Sequence, residues 1–457
     1  MNNELTMEVT IQTLLELLEA KKYSRARDEI LKNNTVIIAE ILEEIIENLG
    51  IEKAVILFRT FPKDVSVEVF AYLPIDDQIE IISVITDKEI QHIIDELAFD
   101  DMIDVLEELP ANVVSKILSR TPKEKRKLIN TFLNYPETSA GSLMTPDYIS
   151  LKRDMTVEEA LNHIKEVGMA RETVYTCYVK DAERKLVGIV SLRNLVISDS
   201  NIKVEEMMHE DMIYVSVLDD QEYVSDLFKK YGFLAIPVVD NEERLVGIIT
   251  FDDILDVIDE ETTEDFHKMA GVAVSTEEYL DMSVWKHVKN RLPWLFVLMV
   301  ALMITGFIIT KFETILSQAI VLVAYLPLLM GTGGNSGAQS STLIIRSLAI
   351  GDVVLKDAAK VLWKEVRVSF IIGFLLSLLN FAKIFLLDGE GPLIALTVCA
   401  SMLTVIMIAK IIGGLLPMAA KKIGIDPALM ASPMITSLTD MISVVTYFAL
   451  ATLILGI

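Results

Sequence analysis

Asp440 lies in "MASPMITSLTDMISVVTYFAL" (430–450), an otherwise uncharged run of apolar and small residues. A charge at the bilayer centre costs about 2.5–3.5 kcal/mol on insertion scales, so such a residue is functional by default. Thr436, Ser437, Thr439 and Ser443 add oxygens around it. A second polar cluster, "GTGGNSGAQ" (331–339), also interrupts a greasy stretch. Unpaired backbone at membrane depth survives only where it is buried or lines a wet cavity. Pro327, Gly331, Gly333, Gly334 and Gly337 therefore predict a broken helix or a close helix contact. Packing through small residues explains the glycines. It does not explain why Asn335, Ser336, Gln339, Ser340 and Ser341 cluster with them, whereas a pathway walled by neutral oxygens does. The competing structural role for Asp440 is a buried ion pair. Lys410, nearer the cytoplasmic end of its own run, is the one candidate partner.

One carboxylate among neutral oxygens suits a hard cation. Mg2+ dehydrates reluctantly and keeps several waters, so hydroxyl and amide groups can hold it through those waters. Potassium filters use repeated carbonyl rings of the TVGYG type, which are absent. Soft metals want Cys, Met or His, and no His lies in the apolar runs.

These residues need a membrane scaffold. Of the 457 residues, 52% are hydrophobic, and five stretches are long enough to span a bilayer, which takes about 20 residues. They lie near 292–310, 318–345, 367–387, 392–416 and 428–456, and Asp440 is the only acid well inside them. From Trp285 onward there are 13 Lys/Arg and 8 Asp/Glu. Residues 1–284 hold the remaining 28 and 58 of the totals of 41 and 66. Such an acidic half argues against nucleic acid as a partner and favours cations.

With the N-terminus inside, the cytoplasmic segments carry Lys286, Lys289, Arg291, Arg346, Lys356, Lys360, Lys364, Lys421 and Lys422. The external loops offer Lys311 and the acidic "DGEG" (388–391). This satisfies the positive-inside rule and leaves the C-terminus outside the cytoplasmic membrane. The polar, acidic N-terminus is not a cleaved signal peptide. The two cysteines, Cys177 and Cys399, build neither a disulfide framework nor a thiolate metal site.

Residues 5–135 read as short amphipathic helices punctuated by Pro62, Pro74, Pro110 and Pro122, an acidic helical superhelix. A duplication follows. "KDAERKLVGIVSLRNLV" (180–196) returns as "VDNEERLVGIITFDDIL" (239–255), with Gly188 and Gly247 in register. This pattern resembles a tandem pair of CBS modules, a regulatory fold that usually dimerises and often binds adenine nucleotides. The resemblance implies that an Asp three residues after the Ser/Thr holds ribose hydroxyls. Asp253 fits in the second copy and Asn194 stands there in the first, so ATP at these modules is left open. Residues 259–292 read as a helix running from regulator to pore.

The whole arrangement resembles the MgtE family of magnesium channels, with "GTGGNSGAQ" and "SPMITSLTD" as its most specific stretches. The fold class is thus a five-helix polytopic membrane protein with a cytosolic α-helical superhelix and α/β tandem CBS domains. The divisions are 1–135, 136–260, a connecting (plug) helix at 261–291 and a pore domain at 292–457. The resemblance implies a homodimer with a central ion pathway, in which Asp440 binds hydrated Mg2+. Asn335, Gln339, Thr436, Ser437, Thr439, Gly331 and Gly334 line that pathway. It also implies closure by Mg2+ bridging Asp100 and Asp104 of the helical domain to Glu222, Asp253, Asp256, Glu261, Glu264 and Asp265. Gly232 stands where the family can place an acidic ligand, and Ala338 where it can carry Asn. These departures imply one lost bridging site and shift pore polarity to Asn335 and Gln339.

A proton- or sodium-coupled divalent carrier would also want a membrane carboxylate. An anion channel would want basic groups at the site, which an acid at 440 opposes. For an enzyme there is no Ser/His/Asp set, His ligand cluster or phosphate loop, and Asp440 lacks a second intramembrane acid.

Overall fold

The computed structural model describes residues 2–275, 279–280, 282–313 and 319–456. Thr276, Glu277, Glu278 and Asp281, inside the expected connecting helix, and Gln318, the first residue expected in the second pass, lie outside the described residues. The chain forms two compact units, Met1–Ile258 and Asp259–Ile457.

In the first unit, ten helices occupy the described residues from Asn2 to Phe132. Pro62, Pro74, Pro110 and Pro122 each stand immediately before a helix, at Lys63, Ile75, Ala111 and Lys123. Proline fits there because the first turn needs no N–H from it. The buried faces follow the apolar spacing: Ile38, Ile41, Leu42 and Ile45 on one helix, Met102, Ile103, Val105 and Leu106 on another. Gln78, although buried, donates to Phe70 O and Leu73 O at 2.9 and 2.8 Å, pinning the end of the preceding helix.

The duplication folds as two like sheets. β1 (Ser150–Lys152) pairs parallel with β2 (Thr176–Lys180), which pairs antiparallel with β3 (Leu186–Ser191). β4 (Val215–Ser216), β5 (Ala235–Val239) and β6 (Leu245–Thr250) repeat this order. Gly188 lies opposite Val179 and Gly247 opposite Val238, with a register shift after each partner. Both glycines sit in crowded places: a Cβ at Gly188 would come within 2.8 Å of Met208 Sδ, and one at Gly247 within 2.9 Å of the Thr145 carbonyl, backbone that cannot move aside. One apolar core runs from the superhelix into the second module, joining Phe99 and Phe132 to Val224, Phe228 and Ile254.

The helix after β6 runs from Phe251 to Ala270, past the expected module boundary. Gly271, with φ +67°, ends it, and the described residues from Val272 to Ser275 are not helical. The next helix begins at Val284. Residues 261–291 are therefore not one continuous helix, and the left-handed glycine is the physical reason.

Five helices in the second unit are long and apolar enough to cross a membrane: Val284–Lys311, Ile320–Ala349, Leu355–Asp388, Pro392–Lys422 and Pro427–Leu455. They are called the first to fifth apolar helices below. The third begins well before the expected 367, which brings Glu365 into its early turns.

Candidate functional site in the membrane unit and the acidic clusters

The backbone of "GTGGNSGAQ" is continuous helix within Leu326–Ala349. Of the two sequence expectations, close contact is the one realised. A Cβ at Gly333 would meet Ser443 Oγ and Val405 Cγ1 at 2.7 Å, at Gly334 Thr436 Cγ2 at 2.8 Å, and at Gly337 Ile435 Cγ2 at 2.7 Å. Gly413 of the fourth helix lies against the Gly337 carbonyl. Three glycines spaced along one face thus let the second helix lie directly on the fourth and fifth. Gly331 differs, since a Cβ there would meet nothing within 4 Å.

This approach sets the surroundings of Asp440, which is 9% exposed. Among the described residues its carboxylate forms no hydrogen bond or ion pair. Lys410 does not answer it. The Lys410 ammonium donates to Ser340 Oγ at 3.3 Å and Ser336 O at 3.5 Å, and Ser340 in turn donates to Glu365 Oε2 at 2.7 Å. The buried-ion-pair role for Asp440 is thereby removed.

The hydroxyls near Asp440 spend their protons on the backbone. Thr439 Oγ1 donates to Ile435 O, Ser443 Oγ to Thr439 O and Ser437 Oγ to Pro433 O, at 2.8, 2.6 and 3.0 Å. Each oxygen then offers only lone pairs to a visitor. A carboxylate with acceptor-only oxygens nearby matches a cation clothed in water, whose hydrogens point outward. Asn335 and Gln339 lie on another face of the second helix. They are exposed and line a cavity of about 760 Å³ together with Thr342 and Lys410. The structure therefore sorts the expected pathway residues into two groups, Gly334, Thr436 and Thr439 at the helix contact, and Asn335 and Gln339 at the cavity.

In the first unit, Asp100 and Asp253 come together as expected, joined by Asp101, Glu172 and Asp252. Burial, then Asp253, Glu172 and Asp101, pushes the Asp100 carboxyl up to about 8. Asp101 reaches about 6 through burial and then Asp253 and Asp252. Asp253 is raised as well, chiefly by burial, with a hydrogen bond from Thr250 opposing and Asp252 and Asp256 adding. Sequence reasoning missed Asp101, Asp252 and Glu172. A signal for the first two was present in "FDDMID" (99–104) and "FDDILD" (251–256), which share the pattern Phe-Asp-Asp-x-x-Asp.

Asp104 and Glu222 are exposed on their helices, and the Glu222 N–H donates to Asp220. Gly232 caps the Glu222 helix at φ +67°. Asn194 occupies the place matching Asp253, its N–H donating to Ser191 Oγ at 3.2 Å.

In the second unit, Glu261, Glu264 and Asp265 lie on the Phe251–Ala270 helix. Lys268 pairs with Glu264 and, at 2.8 Å, with Asp426. Asp265 is raised by burial and then by Asp426. Asp426 was missed because it sits in a short interhelical turn, where its carboxylate accepts from Ala428 N at 2.8 Å. Among the described residues, no three His, Cys, Asp or Glu converge tightly enough to hold a bare ion. Acids instead crowd one another in smaller groups, Asp100 and Asp101 with Asp253, and Asp265 with Asp426. This fits Mg2+, which is held by one or two carboxylates while keeping its waters.

Comparison with known proteins agrees in layout. Residues 326–450 match the family described as "Divalent cation transporter", residues 37–138 the "MgtE intracellular N domain", and residues 140–200 and 204–260 the "CBS domain". The chain is 35% identical over 453 residues to the "Magnesium transporter MgtE" of Thermus thermophilus, covering 96% of this chain and 99% of that one. It is 36% identical to the protein of that name from Enterococcus faecalis, over 71% of each chain. Among solved structures, "Crystal structure of the cytosolic domain of the Mg2+ channel MgtE in complex with ATP" superposes with a TM-score of 0.50 at 32% identity. It covers 54% of this chain and 99% of that one.

Two outcomes are expected. Gly337→Val forces a branched side chain into Ile435 and the Ala409 carbonyl, so little folded protein should reach the membrane. Gly331→Ala, with open space around it, should leave the thermal midpoint unchanged or raise it, by up to about 1 kcal/mol of helix propensity. Size-exclusion yield and thermal unfolding check both. For pH, the folded state keeps a proton on Asp100 up to about 8, whereas in the unfolded chain the carboxyl loses it near its ordinary 3.8. Stability tied to Asp100 is therefore lost as pH rises through that window. In chelator the thermal midpoint should fall between roughly pH 4 and 8, and Asp100→Asn should flatten the fall. An identical slope in the variant would assign the pH dependence to other groups.

Proposed function

The chain belongs to the MgtE family of magnesium transporters, and we propose that it is a magnesium-selective channel that imports Mg2+ and is closed by Mg2+ at its acidic cytosolic segments. It is a transporter and an integral membrane protein, and Mg2+ is its cargo. The observation that carries the channel reading is Asp440. A buried carboxylate without a base, beside hydroxyls that can only accept, attracts a divalent ion yet binds it through water, which leaves it free to move on.

In this reading residues 292–457 form the pore domain of a homodimer in the cytoplasmic membrane, with the N-terminus inside and the C-terminus outside. Residues 1–135, 136–260 and 261–291 act as sensor, CBS regulator and connector. Gly331, Gly334, Asn335, Gln339, Thr436, Ser437 and Thr439 accompany Asp440 along the pathway.

Regulation follows from like charge. Two unit charges 4 Å apart interact by about 4 kcal/mol at an effective dielectric near 20, a cost that keeps protons on Asp100, Asp101 and Asp253 when they meet and that a divalent ion taking the protons' place would reverse. Asp104, Glu222, Asp256, Glu261, Glu264 and Asp265 supply the further pairs. Several weak sites together reach the roughly 5.5 kcal/mol that moves a two-state equilibrium from 1:99 to 99:1. ATP at the CBS modules would use Asp253 for its ribose, with Asn194 as the counterpart in the first module. The relative whose cytosolic domain was crystallised with ATP supports nucleotide binding in this part of the chain.

The competing reading is a proton- or sodium-coupled divalent carrier. Patch recording separates them, because a channel gives single-channel currents that fall when internal Mg2+ is stepped from low to high, whereas a carrier gives slow flux that follows the coupling gradient. Deleting residues 1–135 should leave currents that internal Mg2+ closes poorly, and retained closure would place the sensor elsewhere. Asp440→Ala should abolish Mg2+ uptake and magnesium-dependent growth rescue while the protein stays folded. Normal uptake by that variant would remove Asp440 from the mechanism.

A further inference from the structure

Lys410 is a lysine only 4% exposed within the fourth apolar helix. Buried charges at membrane depth are expensive and mark ion pathways more often than packing. Its placement is specific. A Cβ at Gly337 would lie 3.2 Å from both the Ala409 carbonyl and Thr439 Cγ2. Those residues immediately precede Lys410 and Asp440, so the two charged residues sit at the same level around the second helix. Among the described residues Lys410 makes no ion pair within 4.0 Å. Its ammonium donates to Ser340 Oγ, and the same hydroxyl donates to Glu365 Oε2. One serine thus separates the two charges. Lys410 lines the cavity with Asn335, Gln339 and Thr342, whereas Glu365 is not part of that wall. The cavity therefore faces the positive end of the pair.

We infer that Lys410, balanced by Glu365 through Ser340, sets how tightly the pathway holds its ion. Asp440 alone would attract a divalent cation strongly, and an ion bound too well does not conduct. A fixed positive charge at the same level opposes that attraction, and the repulsion doubles for a divalent ion relative to a monovalent one. Glu365, lying behind Ser340, tempers the ammonium so that the cavity is not closed to cations. Lys410 and Glu365 are positioning residues in this scheme, acting through the field they impose and not through contact with the ion. The inference rests on the ion pathway proposed above.

The test uses the full-length protein in proteoliposomes and reads the external Mg2+ concentration that half-saturates uptake, a quantity independent of how much protein inserts. Lys410→Gln leaves Glu365 unopposed and should lower half-saturation and maximal flux together. Glu365→Gln leaves the ammonium unopposed and should raise half-saturation, each by roughly tenfold. The double variant removes both charges and should return to within about twofold of the parent, since opposed field effects cancel where a shared structural defect would add. Shifts of the same sign in the two single variants, or no shift in either, overturn the inference. If a lone buried charge keeps the single variants out of the membrane, the double variant still decides, because a tenfold displacement of its half-saturation would show that the pair does more than balance itself. Asp440→Ala runs alongside. Its loss of flux with unresponsive Lys410 and Glu365 variants defeats this inference alone, whereas persistent flux defeats the pathway beneath it.

Discussion

A carboxylate surrounded by apolar helices has to be answered by something, and in this protein it is not answered by a base. Asp440 is 9% exposed and makes no ion pair among the described residues. The nearby candidate, Lys410, is occupied by Ser336 and Ser340. Burial of an isolated carboxylate is tolerated only when water, a counter-ion or a proton answers it, and the channel reading proposed above assigns that part to a hydrated cation. The glycine contacts of the second helix with the fourth and fifth follow from the same need, because they bring hydroxyl oxygens and the carboxylate into one narrow layer without side chains intervening.

The first unit applies the same physics with the opposite default. Asp100, Asp101, Glu172 and Asp253 crowd together, and their carboxyls are raised by burial first and by one another second. Such a cluster is stable only if protonated or bridged by cations. Around Lys268 the arrangement differs: one ammonium grips both Glu264 and Asp426, and Asp426 in turn caps the turn that leads into the helix carrying Asp440. Acidic pairs that await a cation and an acidic pair that already holds one sit at different points of the same chain.

Much of this was legible beforehand. The helix-opening prolines, the two matching sheets and the five apolar runs all follow from periodicity and punctuation, which are local signals. Asp440 was legible because a charge inside an apolar run needs no three-dimensional context to be conspicuous. What escaped were properties of juxtaposition. Glu365 fell just outside the expected third pass and seemed to belong to a loop. Asp101 and Glu172 became notable only once packing set them against Asp253. The glycine motif left breakage and close contact both open, since glycine serves either, and only the neighbours at Gly333, Gly334 and Gly337 decide. The connecting segment read as one helix because its polar residues carry no strong stop signal before Gly271, whose left-handed φ is visible only in the fold.

The hydroxyls of the fifth helix have one more effect. A proton travels along a file of water and side chains only if every link can accept from one side and donate to the other. Thr439, Ser443 and Ser437 have their hydrogens fixed on backbone carbonyls, so a water meeting one of these oxygens must point a hydrogen at it and cannot turn over to pass a charge along. If these hydroxyls wall the proposed pathway, it is for that reason a poor proton wire, and a cell could admit the metal there without short-circuiting the gradient that powers it.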